Sequence, residues 1–287
     1  LYGHVFPQGS PMNEQITDIN KTADSLQNIF TAQLDSLIDA YWKRNGIEPP
    51  QNGDREIPQE VLYEQLPSIV AHINLIEDSI CREILSRHNN DALGQYLIMY
   101  SYIYPTDIDK QIEILDNIGP WLRSRKDIQK KIKKVEALKK TAVGQPYIDI
   151  EGRDVNGNDI ALSDFFNRGN YVLMDMWASW CGPCKQEIPN LAYLHNKYKD
   201  KGLTVVGIFV WDTQEHFIAS VKEKGITWPQ IFNSQNNAMQ PMRQYGINSI
   251  PQIILFSPDG IILKRDLRGD SMICLLYTSD AADEGLG

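Results

Sequence analysis

Cysteine is scarce in this chain: there are four among 287 residues, and two of them share one motif, Cys181-Gly182-Pro183-Cys184. So few thiols exclude a small secreted scaffold stapled by disulfides. Positive charge is also short, with 28 Lys and Arg against 37 Asp and Glu and a net charge of -9. That deficit argues against a nucleic-acid or anionic-membrane partner. No apolar run reaches the length of a membrane span. Histidines spaced four apart, as ligands on one helix face would be, are missing too. His72, His88, His195 and His216 therefore read as surface or packing residues and no metal is expected. What is plentiful is apolar: 42% of residues are hydrophobic, ample for one large or two modest cores.

The chemistry gathers where a strand becomes a helix. Tyr171 to Trp177 is a nearly continuous apolar run interrupted by Asp175, the pattern of a buried parallel strand. From Pro183 to about Lys199, Ile188, Leu191, Leu194 and Tyr198 recur at helical spacing. Cys181 thus falls at the helix amino end and Cys184 within the first turn. Unpaired backbone N–H groups and the helix dipole favour negative charge at Cys181, the expected attacking thiolate. Cys184 is then placed to attack the mixed disulfide that Cys181 forms. Half of a zinc knuckle has the same spacing, but a full site needs further ligands, and Cys81 and Cys274 form no second pair. Strand alternation sends Asp175 inward, where desolvation should raise its pKa; a hydrogen-bonded structural acid is the alternative.

These residues resemble the thioredoxin superfamily, and within it the TlpA/ResA-like cell-envelope thiol-disulfide oxidoreductases. The likeness rests on Trp180-Cys181-Gly182-Pro183-Cys184-Lys185-Gln186-Glu187-Ile188-Pro189, on Ile250-Pro251, on Val143-Gly144-Gln145-Pro146, on Asp154-Val155-Asn156-Gly157 and on Leu162-Ser163-Asp164. It covers about residues 141 to 273. The resemblance implies an α/β thioredoxin-like fold, a central mixed sheet flanked by helices, preceded by a mostly α-helical domain. It implies a cis Pro251 that presents backbone to substrate, and an Asp175 that relays the proton of Cys184. Trp180, Gly182, Pro183 and Ile250 would line the substrate site, and Glu187 would add a nearby charge. No cofactor is implied. The implied partners are disulfide-containing protein substrates and a membrane or envelope electron donor, with the chain on the periplasmic side of the cell envelope. Gly-Pro between the cysteines resembles reducing members. A disulfide oxidase or isomerase, or a redox-sensitive binding module, is the alternative. A peroxidase setting, Pro-x-x-x-Thr-x-x-Cys, is not found.

The rest of the chain reads as follows. Residues 1–12 form a loop or the remnant of a preceding module, and 13–140 a helical domain suited to dimerisation or substrate docking. Within it, one helical stripe runs from Asn13 to Arg44 and ends at Gly46 and Pro49-Pro50. A helix over 58–88 should break or kink at Pro67. Shorter helices are expected over 90–103 and 106–117, the latter opening with a Thr106-x-x-Asp109 capping box. A basic helix over 121–140 presents lysines to solvent. Residues 141–146 are expected as linker and 147–273 as the thioredoxin-like domain. That domain should open on a hairpin through Asn156-Gly157-Asn158 and lose its final helix after about Ile273. Cys81 reads as a buried structural thiol. Residues 274–287 resemble a translated sequencing adaptor, so Cys274 carries no expected function. Leu1 in place of Met implies a natural start upstream, where a signal segment would lie.

Overall fold

The computed structural model describes residues 11–48, 56–101, 103–233, 238–269 and 272. The expected loop at residues 1–10, the Pro49-Pro50 stop and the tail at 274–287 lie outside the described residues. The chain divides into two compact units at Ile132/Lys133.

The amino-terminal unit is helical. Helix α1, Pro11–Asn45, buries Ile16, Ile19, Ala23, Leu26 and Ile38 of the expected stripe, and Trp42 beside them, while Phe30, Leu34, Leu37 and Tyr41 are half-buried. It starts at Pro11, inside the stretch read as loop. It ends where Gly46 turns left-handed at φ 65 and Ile47 N donates to Trp42 O at 3.0 Å, which satisfies an orphan carbonyl. Pro67 does not break the next helix. A π-helical turn, Val61–Gln65, precedes it, and Pro67 sits in the first turn of α2, Leu66–Arg87, where its missing N–H costs nothing. Helix α3, Ala92–Tyr100, is capped by Asp91, which accepts from Leu93 N and Gly94 N. Helix α4, Ile108–Asp116, is capped by Asp107, one residue beyond the expected Thr106. The helix expected over 121–140 is interrupted. Arg125 is extended at φ -71, ψ 131, between α5, Pro120–Ser124, and α6, Lys126–Lys140.

The boundary therefore falls inside α6, ahead of the expected linker. The linker residues are bonded into the carboxyl-terminal unit. Thr141 is fully buried, its hydroxyl donates to Ala137 O and Tyr245 O, and Arg265 donates to Thr141 O. Gly144 N donates to Ile262 O, and Ile262 N to Gln145 O, each at 2.8 Å.

The second unit is a seven-stranded mixed sheet. Its strands are β1 (Glu151–Arg153), β2 (Asp159–Ala161), β3 (Tyr171–Trp177), β4 (Leu203–Phe209), β5 (Gln230–Phe232), β6 (Gln252–Phe256) and β7 (Ile262–Lys264), in the order β2-β1-β5-β4-β3-β6-β7. The central strand β3 pairs parallel with β4 and antiparallel with β6. With neighbours on both sides, it is buried from Val172 to Trp177, as its apolar run requires, and only Tyr171 at its start is exposed. Alternation divides its side chains. Leu173 and Trp177 join Val205, Phe209, Ile253 and Leu255 on the face covered by α7 (Gly182–Tyr198) and α8 (Gln214–Glu223). Val172, Met174 and Met176 face the other core, where α9 (Gln240–Gln244) contributes Met242. The closing segment turns helical at Gly269, and Met272 is buried in the α7-side core.

Candidate functional site

Cys181 is the N-cap residue of α7, and its sulfur accepts the Cys184 N–H at 3.1 Å. That amide is one of the orphan donors of a helix start, so it points positive charge at the sulfur. Cys181 and Cys184 are joined as a disulfide with Cα atoms 5.3 Å apart, the oxidised form of a dithiol couple. Both sulfurs lie in buried residues, while Gly182, Pro183 and Trp180 are exposed around them. No atom lies within 4 Å of a Cβ built on Gly182, so this rim is open to an incoming chain.

The Ile250-Pro251 peptide bond is cis, as the resemblance implied. Pro251 is buried at the start of β6, and Ile250 packs against both cores. Asp175 lies between Leu173 and Trp177 on the face of β3 that α7 covers, the face where Cys184 is buried. It is 2% exposed, and its Oδ1 has no hydrogen-bond partner. Burial pushes its carboxyl up to about 8, Arg268 pulls it down, and the Glu187 charge adds to the rise. Glu187 is itself buried on α7. It accepts from Gly269 N at 3.1 Å with both oxygens and from Asn190 Nδ2 at 3.1 Å.

Several residues at the site had no reading in the sequence. Asp212, beyond the end of β4, accepts from Ser179 N at 3.0 Å, from the Ser179 hydroxyl and from Thr213 N, and its Oδ1 lies 2.6 Å from His216 Nδ1. Burial pushes its carboxyl up, but these bonds outweigh that and hold it below the usual range. Asp212 thereby anchors the loop just ahead of Cys181. His216, expected only at the surface or in packing, is one of its partners. Trp180 does not sit alone over the thiols. It is 57% exposed, stacks on Trp211 with centroids 6.2 Å apart, and donates from Nε1 to Trp211 O. Trp211 pays for that position with a left-handed φ of 55, rare for a bulky residue. Trp177, at the end of the apolar run, is buried and donates to Gln230 Oε1 at 2.9 Å. Asp212 follows a buried strand, but nothing in the sequence ties it to Ser179, and Arg268 stands in a charged closing segment, Arg265-Asp266-Leu267-Arg268-Gly269-Asp270, that does not single it out.

Cys81 is buried on α2. Burial first, and then the Asp78 charge, push its thiol up to about 12, which leaves it unreactive near neutral pH. Among the described residues no group of three His, Cys, Asp or Glu side chains could hold a metal ion, and no helix is long and apolar enough to cross a membrane.

Comparison with known proteins agrees with this geometry. Residues 143–265 match the AhpC/TSA family. The thiol-disulfide oxidoreductase ResA of Bacillus subtilis is 29% identical over 111 residues, 39% of this chain and 59% of that protein. ResA of Bacillus thuringiensis subsp. konkukian is 26% identical over 131 residues, 46% of this chain and 72% of that protein. The thioredoxin domain of a thiol-disulfide oxidoreductase from Bacteroides vulgatus is 33% identical, covering 48% of this chain and 96% of that domain with a TM-score of 0.45. Over its carboxyl-terminal half, the chain is similar to the ResA-type thiol-disulfide oxidoreductases. The match to ResA of Bacillus subtilis spans 59% of that protein's length, and the helical unit lies outside the matched family segment. Within the matched domain, the cysteine pair and cis Pro251 lie at neighbouring strand ends: Met176, one residue before the end of β3, pairs with Gln252 at the start of β6.

Proposed function

We propose that this chain reduces disulfides in partner proteins through a Cys181/Cys184 dithiol-disulfide cycle. The observation that carries the reading is the Cys181 sulfur at the start of α7, with an amide aimed at it and Cys184 one turn on. In the reduced state that amide and the helix dipole favour a Cys181 thiolate. The thiolate attacks one sulfur of a substrate disulfide. The substrate S–S bond breaks, a Cys181–substrate disulfide forms, and the first substrate thiolate leaves. Asp175 takes the proton of Cys184, whose thiolate attacks the Cys181 sulfur. The mixed disulfide breaks, the second substrate thiolate leaves, and the Cys181–Cys184 bond stores the two-electron oxidation. A dithiol donor then restores the pair.

Ile250 and Pro251 offer backbone for strand-like pairing with the substrate, and Trp180, Gly182 and Pro183 form the rim it crosses. Glu187 is the nearby charge. Substrates gripped by backbone and disulfide need no distinctive side chain, so the substrate class is disulfide-containing proteins in general. The resemblance supports the periplasmic side of the cell envelope and an electron donor in or at the membrane. The helical unit serves substrate docking or a homodimer contact.

Two measurements test this reading. Cys184→Ser should accumulate a mixed disulfide with a disulfide-bonded protein substrate, while Cys181→Ser should form none. Redox titration followed by tryptophan fluorescence, on a Cys81→Ser background, should give a midpoint near about -270 mV for a reductase; a value near about -120 mV would make it an oxidase. With no two-electron transition, the catalytic reading fails and a binding role is left.

A further inference from the structure

Asp175 needs a counter-charge if it is to ionise in a buried site, and its own strands supply none. Its register partner in β4 is Gly207, and a side chain there would collide with Gln230, whose amide lies 2.1 Å from the built Cβ. Its partner in β6 is Ile253. The cation comes from beyond β7. Ile253 O accepts Leu267 N at 3.2 Å, so the closing segment docks on the same rung of the sheet that carries Asp175. The next residue is Arg268. Its guanidinium donates to the carbonyl of Pro251, and to Leu267 O at 2.6 Å. The residue after that, Gly269, gives its amide to Glu187. Three consecutive residues thus tie together the cis-proline turn, the buried acid and the first turns of α7.

We propose that Arg268 is a positioning residue for the redox step: one guanidinium both fixes the Pro251 carbonyl and stands as the counter-charge that lets Asp175 accept the proton of Cys184. The proposal rests on the catalytic reading above. The groups facing Asp175 can be named by element. Arg268 comes from the segment after β7, Glu187 and the two cysteines come from α7, and β4 and β6 present the uncharged Gly207 and Ile253. Burial and Glu187 both keep a proton on Asp175, and Arg268 opposes them. Without that cation the carboxyl stays protonated to higher pH, and a still smaller ionised fraction is left at neutrality to take the Cys184 proton.

The test is single-turnover oxidation of the reduced full chain by a disulfide peptide, followed by tryptophan fluorescence between pH 5 and 10. Arg268→Gln should move the inflection of the rate profile up by about one pH unit and slow the reaction about tenfold at pH 7, with rates converging toward the alkaline end. Arg268→Lys keeps the charge and should hold the inflection within about half a unit. In an Asp175→Asn background, Arg268→Gln should shift nothing further. If Arg268→Gln slows the reaction equally at every pH, Arg268 is a structural clamp only and the proposal falls. Should the Gln variant fail to show native near-ultraviolet circular dichroism, the Lys variant decides. A full-unit shift there overturns the proposal, and an unmoved inflection with a weakened peptide KM supports it. A wild-type chain that oxidises at no pH overturns the catalytic reading itself, an outcome distinct from an active wild type with an unshifted variant.

Discussion

A buried carboxyl whose Oδ1 has no hydrogen-bond partner is costly unless it carries a proton, and Asp175 is such a group. The cost can be measured. In the unfolded chain the group ionises near about 3.9, whereas in the fold it does so only near about 8. Between these values the folded chain holds a proton that the unfolded chain has released, so stability falls as pH rises from about 4 to about 8. Asp175→Asn removes that dependence. Urea unfolding of the oxidised protein should find the variant equal to wild type near pH 4.5 and more stable at pH 9, by on the order of 2 to 5 kcal/mol. Parallel curves at the two pH values would mean that Asp175 is an ordinary bonded acid. At this scale the sequence was legible where chemistry is local. Cys181, Cys184 and Asp175 could be read because one strand and one helix place all three, and Pro251 only through the family resemblance, since a proline just before a strand is also an ordinary stop signal. Arg268, Asp212 and Gln230 could not, because each meets the site through strand register or a loop crossing.

Among the elements, a helix whose core stripe was readable could still start or stop elsewhere than expected, because ends depend on single side chains. Asp107, not Thr106, caps α4; Arg125 breaks the basic helix; the π turn before Pro67 absorbs a proline that alone would read as a break. Asp91 gives this a testable form. Its carboxylate accepts two orphan amides of α3 and lies 2.7 Å from His88 Nδ1. Burial pushes its carboxyl up, but the bonds from Gly94, His88 and Leu93 prevail and hold it below the usual range. Asp91→Ala should cost about 1 kcal/mol of helical-unit stability. With the folded value depressed, that contribution is full above the unfolded value of about 3.9 and is lost as pH falls through the folded one. Urea melts followed by far-ultraviolet circular dichroism at pH 7 and pH 3 should show the gap between variant and wild type closing at the lower pH. A gap unchanged with pH would place the cap's value outside its charge.

At the scale of the whole molecule, chemistry and the helical unit separate along the chain. The residues described around the cysteine pair fall between Leu173 and Met272, and the unit boundary lies well before them, inside α6. That boundary was misread because Thr141 to Pro146 looks like a linker by composition, while its backbone is paired with β7 and its threonine is buried. A chain beginning at Lys126 keeps α6 whole together with the sheet unit. Its redox midpoint should lie within about 15 mV of the full chain's, well inside the roughly 30 mV that corresponds to a tenfold change in equilibrium. If the helical unit docks substrate, the shortened chain should reduce a small disulfide peptide at the full-length rate and a folded protein substrate more slowly, with the loss in KM. A midpoint displaced by more than about 30 mV would instead show that residues before Lys126 act on the couple, which no described side chain around the thiols suggests. Equal rates on both substrates would remove docking as the role of the helices and leave self-association, which sedimentation of the full and shortened chains at matched concentration would then decide.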